Sequence, residues 1–168
     1  MRLSTIMLAI LAGASPLAGA AEPIAQLQPM GFLAGSCWLG EFAGAKQTDE
    51  HCFSWIYDGK ALRDVHTVRT PGHPDYVGET TYYWDAAAKR VDYLYIENSG
   101  GISRGTVQFT PGALLFPLTQ YISEGANMSY RVRWTLQGPD AYEAWSETPQ
   151  KDAWVTMFKL SMKRVARR

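Results

Sequence analysis

The stretch Met128-Ser129-Tyr130-Arg131-Val132-Arg133-Trp134-Thr135-Leu136 alternates larger apolar side chains with polar ones along its whole length. Successive side chains of a β-strand point to opposite faces, so the apolar set of this stretch shares one face and the polar set shares the other. The segment from Trp154 to Lys163 repeats the pattern. Both segments are therefore predicted to be strands of an antiparallel sheet with one face in a core.

Turn signals divide the chain after about residue 36 into similar short segments. Asp58-Gly59, Pro111-Gly112 and Gly138-Pro139-Asp140 carry the residues that tight turns require. The predicted strands cover residues 37–42, 49–57, 61–69, 78–85, 90–97, 102–109, 113–118, 127–137, 141–147 and 153–164. So many strands with short connections favour an all-β fold, a single antiparallel up-and-down β-barrel of about ten strands. A two-sheet sandwich is the alternative.

The first 21 residues have the layout of a cleaved signal peptide. Arg2 precedes an apolar run over residues 6–12, and Ala18-Gly19-Ala20 offers a small-residue cleavage site. The run is too short to span a bilayer, although an uncleaved anchor is the competing interpretation. The expected organisation is a signal peptide over 1–21, a lead-in segment over 22–35 that forms a short helix or plug, and a barrel domain over 36–168. We expect a periplasmic or secreted protein without a transmembrane segment in its mature form.

The charge and the composition of the chain limit which classes of binding partner are expected. Lys and Arg number 16 and Asp and Glu number 16, so the chain lacks the basic surplus that marks a nucleic-acid-binding protein. Its 6 Trp and 9 Tyr residues require broad apolar faces or a pocket to line. We therefore expect a small apolar ligand and no nucleic-acid partner.

The two cysteines, Cys37 and Cys52, flank a turn centred near Gly44-Ala45. In an oxidising compartment two cysteines so placed are expected to form a disulfide across the first hairpin. A redox-active pair and zinc ligation are the alternatives. Pairing Cys37 with Cys52 sets the register of this hairpin and places Trp38 opposite His51.

The same register continues through the Asp58-Gly59 turn and predicts which side chains share the interior face. Phe53 then lies opposite Asp64, and His51 opposite His66. The predicted interior face carries Trp38, Phe42, His51, Phe53, Trp55, Leu62, Asp64, His66 and Val68. Its polar members, His51, Asp64 and His66, are the candidate catalytic residues, because a carboxylate can orient an imidazole that acts as a general base. Two alternatives remain for them: a divalent-metal site, or a satisfied polar patch that a register slip would turn toward water. We assign no metal.

Large side chains on the inward faces of several strands are the candidate ligand-binding residues. They are Trp38, Phe53, Trp55, Trp84, Tyr130, Trp134 and Phe158, together with Arg104 as an anchor for an anion. The competing interpretations are an ordinary apolar core for the aromatic residues and a solvated side chain for Arg104.

The segment Phe32-Leu33-Ala34-Gly35-Ser36-Cys37-Trp38-Leu39-Gly40 resembles the opening strand of calycin-like barrels, the superfamily of lipocalins, fatty-acid-binding proteins and nitrobindin-like proteins. The segment over residues 46–53 is similar to exported proteobacterial proteins whose domain has no assigned function. The resemblance implies a barrel in which Trp38 closes one end. Two features depart from it: Gly35 and Trp38 have two residues between them where lipocalins have one, and no histidine lies on the last predicted strand, where nitrobindin-like proteins hold haem. No haem or other cofactor is therefore expected.

Three functions follow as hypotheses. The first is an exported barrel that binds a small apolar or aromatic molecule. The second is an envelope interaction module whose barrel is filled by its own side chains. The third is a lyase or isomerase that uses the Asp64, His51 and His66 cluster. Whether the protein is an enzyme, and in which oligomeric state it works, stays open at this stage.

Overall fold

A computed structural model describes residues 22–166, and these residues form one closed antiparallel barrel after a short 3-10 helix. The helix spans Ala25–Met30. The strands are β1 (Cys37–Glu41), β2 (Thr48–Ile56), β3 (Ala61–Arg69), β4 (Tyr76–Asp85), β5 (Arg90–Glu97), β6 (Ile102–Thr110), β7 (Ala113–Ser123), β8 (Ala126–Leu136), β9 (Ala141–Gln150) and β10 (Ala153–Val165). Each strand pairs with its neighbours in sequence, and β1 closes the barrel by pairing with both β2 and β10.

The all-β up-and-down barrel of ten strands is confirmed, and the predicted signal peptide lies outside the described residues. Three strands are longer than predicted by two residues or more: β4 begins at Tyr76, β7 continues to Ser123 and β9 to Gln150. The register of β7 against β8 shifts between Phe116 and Thr119. Pro117 lies in that irregular stretch, where a residue without a backbone N–H can be accommodated. Within residues 22–166, no helix is long and apolar enough to cross a membrane.

The first hairpin has the predicted register. Cys37 lies opposite Cys52 with their Cα atoms 4.0 Å apart, and the two form a disulfide, which confirms the predicted pair. On β2 and β3, His51 lies opposite His66 and Phe53 opposite Asp64. The six residues of these three pairs therefore have the cross-strand partners that the sequence predicted for them.

One end of the barrel is closed by the 3-10 helix and by the turn between β2 and β3. Tyr57, Asp58 and Gly59 all have positive φ in this turn, so the connection is wider than a two-residue turn. The Gly59 carbonyl accepts a hydrogen bond from the amide of Ile24, and a Cβ at Gly59 would overlap the backbone of Glu22. A glycine is therefore required here both by its φ and by the close approach of the lead-in segment.

Trp38 is the central side chain of this closed end. It is fully buried, and its Nε1 donates to the Leu33 carbonyl at 3.2 Å. The Arg164 guanidinium lies 4.4 Å from the centre of its ring and donates hydrogen bonds to the carbonyls of Phe32 and Pro139. Trp38 thus occupies the closing position that the resemblance implied, with an arginine covering it from the last strand.

Candidate functional site

The other half of the barrel encloses a cavity of about 440 Å³. Connections alternate between the two ends of an up-and-down barrel, so the β1–β2 and β7–β8 turns lie opposite the closed end. Phe42, Tyr121 and Met128 line the cavity next to these turns, and Trp134 and Leu160 line it nearer the closed end. The lumen is therefore not completely filled by its own side chains.

The three candidate catalytic residues all line this cavity. Asp64 is 1% exposed, and His51 and His66 are partly buried. The rings of the two histidines lie 4.8 Å apart, as expected for directly opposed residues of β2 and β3. The Phe53 ring stacks on the His51 ring, with the two ring centres 6.0 Å apart, and helps to hold the imidazole in place.

Asp49 joins the two histidines and was missed by the sequence analysis. One of its carboxylate oxygens lies 3.3 Å from His51 Nε2, and the other lies 3.2 Å from His66 Nδ1. Asp49 precedes His51 by two residues on β2, so the alternation of strand faces was a sufficient signal to place it beside the cluster. The polar group of the cavity therefore has two carboxylates and two imidazoles, which we call the Asp–His cluster: Asp49, His51, Asp64 and His66.

His51 lies between the two carboxylates. Its Nδ1 is 2.8 Å from Asp64 Oδ2, and its Nε2 faces Asp49. An ionised carboxylate only accepts hydrogen bonds, so both ring nitrogens donate and His51 is an imidazolium. Burial lowers the pKa of His51, but the charges of Asp64 and Asp49 and the hydrogen bonds to both outweigh it and raise the pKa well above 6.5.

The pKa of Asp49 shifts in the opposite direction from that of His51. Burial raises its pKa, whereas the charge of His51 and the hydrogen bonds from His51 and His66 lower it, and the pKa of Asp49 lies far below its usual range as a result. A carboxylate that accepts bonds from two imidazoles is stabilised in its charged form. Asp49 and His51 are therefore a buried ion pair.

Two tyrosines extend the cluster across β4 and β5. The Tyr95 hydroxyl lies 3.0 Å from His66 Nε2, and the Tyr76 hydroxyl is hydrogen-bonded to that of Tyr95. Because His66 Nδ1 donates to Asp49, its Nε2 can accept from Tyr95, whose oxygen then accepts from Tyr76. Burial raises the pKa of Tyr76 to about 12, and burial together with the Tyr76 bond raises that of Tyr95 further. Both hydroxyls therefore keep their protons at neutral pH.

Gly78 makes the contact between His66 and Tyr95 possible. It lies opposite His66 on β4, between the two rings. A Cβ at this position would overlap both His66 Nε2 and Tyr95 Cε2. The absence of a side chain at Gly78 thus lets an imidazole of β3 reach a phenol of β5 across the intervening strand.

One oxygen of the cluster has no partner. Asp64 Oδ1 is buried and accepts no hydrogen bond from any group within residues 22–166, and in that range it shares this condition only with the Tyr142 hydroxyl. A buried carboxylate oxygen without a donor is costly, and because Asp64 Oδ1 has almost no accessible surface, a molecule in the cavity would reach it only after the side chain moved.

The predicted ligand-binding residues fall into two groups. Tyr130, Trp134 and Phe158 line the cavity. The remaining five lie elsewhere: Trp38 and Phe53 are fully buried in the core, Trp55 packs against the core, Trp84 borders a groove beside the 3-10 helix, and Arg104 is exposed. Ligand binding by any of the eight residues stays a prediction. The cavity adds Tyr76, Tyr93 and Tyr95, which the sequence analysis did not select.

Within residues 22–166, two sets of side chains have the geometry to approach a metal ion. Asp49, His51 and His66 each offer a ligand atom within 4.8 Å of the others, but His51 already directs both nitrogens at carboxylates. Cys37, Glu50 and Cys52 form the second set, and its two sulfurs are joined in the disulfide. The set in the cavity is therefore the one that could bind a metal ion, and His51 would first have to release one of its hydrogen bonds to a carboxylate.

No known protein family matches the sequence, and no curated protein is significantly similar to it. The site is accordingly interpreted from its geometry alone.

Proposed function

We propose that this protein is an exported calycin-like barrel that binds a small, largely apolar or aromatic molecule in its lumen. The cavity beside the Asp–His cluster is the observation that carries this proposal. Its volume of about 440 Å³ falls in the range of small-molecule sites, and apolar walls with a few convergent polar groups are typical of such sites.

The walls of the cavity supply the apolar contacts. Phe116, Trp134 and Phe158 line it from β7, β8 and β10, facing the Asp–His cluster on β2 and β3. A ligand with an aromatic or aliphatic body would cover these rings while its polar end contacts the cluster. The closed end leaves the opposite end, next to the β1–β2 and β7–β8 turns, as the route of entry.

Export is the second part of the proposal. The Cys37–Cys52 disulfide supports it, because structural disulfides persist in oxidising compartments such as the periplasm and the extracellular space. A signal peptide over residues 1–21 would deliver the chain there. We include no haem or metal cofactor in the proposal.

Binding of the neutral dye N-phenylnaphthylamine tests the luminal site, because its fluorescence rises when it leaves water for an apolar environment. We expect saturable binding by the wild-type protein, and at least about a tenfold loss of affinity in Ala144→Phe, whose new ring would occupy the cavity that Ala144 lines. Ala87→Phe, in the exposed β4–β5 turn, is the matched control and is expected to bind as wild type does. Equal binding by wild type and Ala144→Phe would place the dye outside the lumen.

An acid–base enzyme is the second candidate, favoured by the hydrogen-bonded chain that runs from Tyr76 through Tyr95 and His66 to Asp49. A lyase or isomerase of this kind would move a proton of its bound substrate through His66. Compounds that displace the dye can be incubated with the protein and followed by mass spectrometry and NMR. Conversion by wild type that is lost in His66→Gln would support an enzyme, and recovery of every compound unchanged would leave only the binding function.

A further inference from the structure

The charged groups that line the cavity carry more negative than positive charge, and this asymmetry specifies the charge of the ligand. His51 is the one cation of the cluster, but both of its N–H groups already point at carboxylates. His66 Nδ1 donates to Asp49. An anionic ligand would therefore find no imidazole N–H free to bind it.

Three of the tyrosine hydroxyls around the cavity are committed in the same way. Tyr95 donates to His66, Tyr121 donates to Glu97 at 2.9 Å, and Tyr130 donates to Ser103 at 3.1 Å. Among residues 22–166, no lysine or arginine lines the cavity. The cavity lining within this range therefore offers an anionic ligand no cationic side chain with a free donor.

The carboxylates of the cavity wall also favour a cationic ligand over an anionic one. Asp49 and Asp64 line the cavity with only the His51 imidazolium to balance them. Glu97 adds a third carboxylate behind Tyr121, and it is buried and held by the amides of Ser99 and Gly101. In a site shielded from water, an excess of negative charge favours a positive ligand group and disfavours a carboxylate.

Aromatic rings lie close to the Asp–His cluster, where a cation would bind. Tyr76 and Tyr95 lie within 5.7 Å and 5.6 Å of the His66 ring, and Trp134 lies 6.0 Å from His51 on the opposite side. A positive group placed beside the cluster would therefore have aromatic rings near it, and such rings attract cations most strongly where water is excluded.

We propose that the ligand of this lumen is an organic cation, an ammonium group joined to an apolar or aromatic body, with the ammonium beside the Asp–His cluster. This inference rests on the proposed luminal binding and names its ligand class. The cation would offset the carboxylate excess and lie against the tyrosine and tryptophan rings. Fatty acids and other carboxylates are excluded by the same features.

Three probes of matched shape test the charge preference: phenylbutylamine, phenylbutanol and phenylbutyrate, which are a cation, a neutral alcohol and an anion at neutral pH. Each is titrated against the protein loaded with N-phenylnaphthylamine, and the concentration that displaces half of the dye is measured. We expect the amine to displace the dye at a concentration at least about tenfold lower than the alcohol, and the carboxylate to be the weakest.

The outcomes separate this inference from the proposed function. If the dye binds in the lumen but the amine is no better than the alcohol, or displaces nothing, the cation preference is wrong while luminal binding of apolar molecules stands. Dye that does not bind, or that binds Ala144→Phe as well as wild type, contradicts the proposed function itself.

Two further measurements assign the preference to the cluster. Asp64→Asn keeps the size of the side chain and removes its charge, so the ratio of alcohol to amine concentrations should fall to within about threefold of one. Glu79→Gln is the matched control, because Glu79 is a half-exposed carboxylate paired with Arg63 on the outer face, and its ratio should equal that of wild type. An equal fall in both variants would indicate long-range charge and overturn the assignment to Asp64.

Salt dependence of the wild-type protein provides the same test without a substitution. Buried charges are screened far less than exposed ones, so raising the salt from about 0.05 M to about 0.5 M should change the ratio by less than about twofold. A preference for the amine that disappears at high salt would place the cation on the outer surface and contradict the proposal.

Discussion

The closed end of the barrel and the Asp–His cluster wall both combine buried rings with charged side chains, and they differ in whether a cavity lies beside them. At the closed end, the Trp38 N–H is paired with Leu33, and the Arg164 guanidinium covers the ring while donating to backbone carbonyls. On the cluster wall, Asp49, His51 and His66 are hydrogen-bonded to one another and line an open cavity. Within residues 22–166, each region has one buried polar atom without a partner, since the Tyr142 hydroxyl beside Trp38 also lacks one, so what distinguishes the cluster wall is the cavity that it faces.

Because of this difference, the residues that stabilise the fold and the residues that are available for a ligand lie in different halves of the barrel. Side chains at the closed end contact others on every side, so their removal should cost free energy of unfolding. Side chains that face the cavity lack neighbours on one side and contribute less to stability for their size. They remain available for a ligand instead.

Two tryptophan substitutions provide the largest test of this comparison. Trp38→Ala should lower the free energy of unfolding by about 3–5 kcal/mol, since it empties a fully buried site. Trp134→Ala should cost clearly less, because that ring already borders the cavity, and it should weaken dye binding more. Urea unfolding followed by circular dichroism measures the first effect. A Trp134→Ala variant that is as unstable as Trp38→Ala would contradict the distinction between the two regions.

A pair of glycines tests how rigidly the cluster wall is held. Gly78→Ala would push against the His66 and Tyr95 rings, both hydrogen-bonded, and should cost about 1–3 kcal/mol of unfolding free energy. Gly40→Ala is the matched control. Its Cβ would overlap Met162 Sδ, the end of a flexible side chain that borders the cavity and can move aside.

The measurements for this pair are urea unfolding and the imidazole NMR signals of His66. Gly78→Ala should change the Nε2 signal, because the bond to Tyr95 lengthens, while Gly40→Ala should leave it unaltered. If both variants lose the same stability and keep the same His66 signal, the wall is not locked by Gly78.

The sequence was sufficient for the part of the cluster that lies near the disulfide. Once Cys37 pairs with Cys52, the period-two alternation of β2 and β3 places His51 opposite His66 and Phe53 opposite Asp64 without knowledge of the rest of the fold. Asp49 has the same parity and could have been included. The cost of a register slip is high on a face that is half buried, which is why such local pairs are predictable.

The remaining residues of the site could not be predicted, for reasons that lie in the connections. Tyr76 and Tyr95 reach the cluster only through the register of β4, which follows a loop over residues 70–75 whose length does not set a pairing. The side-chain gap at Gly78 has no signal in the hydropathy pattern. In β7, the irregularity around Pro117 interrupts the alternation, so the predicted strand stopped at residue 118.

The pH dependence of stability gives the smallest and most specific test of the cluster. The folded pKa of His51 is raised above 6.5, so its contribution is fully present below that value and is lost as the pH rises through the folded pKa. The folded pKa of Asp49 is lowered below 3.8, so its contribution is present above 3.8 and is lost as the pH falls further. The ion pair should therefore stabilise the fold most between about pH 4 and 6.5.

A His51→Gln variant removes the alkaline part of this dependence. The difference in unfolding free energy between wild type and His51→Gln should shrink as the pH rises above 6.5, with a slope of at most about 1.4 kcal/mol per pH unit for one proton. His73→Gln, in the exposed β3–β4 loop, should show no such trend. A difference that grows with pH would mean that His51 is neutral in the folded protein, and the wall would then lack the ion pair that distinguishes it from the closed end.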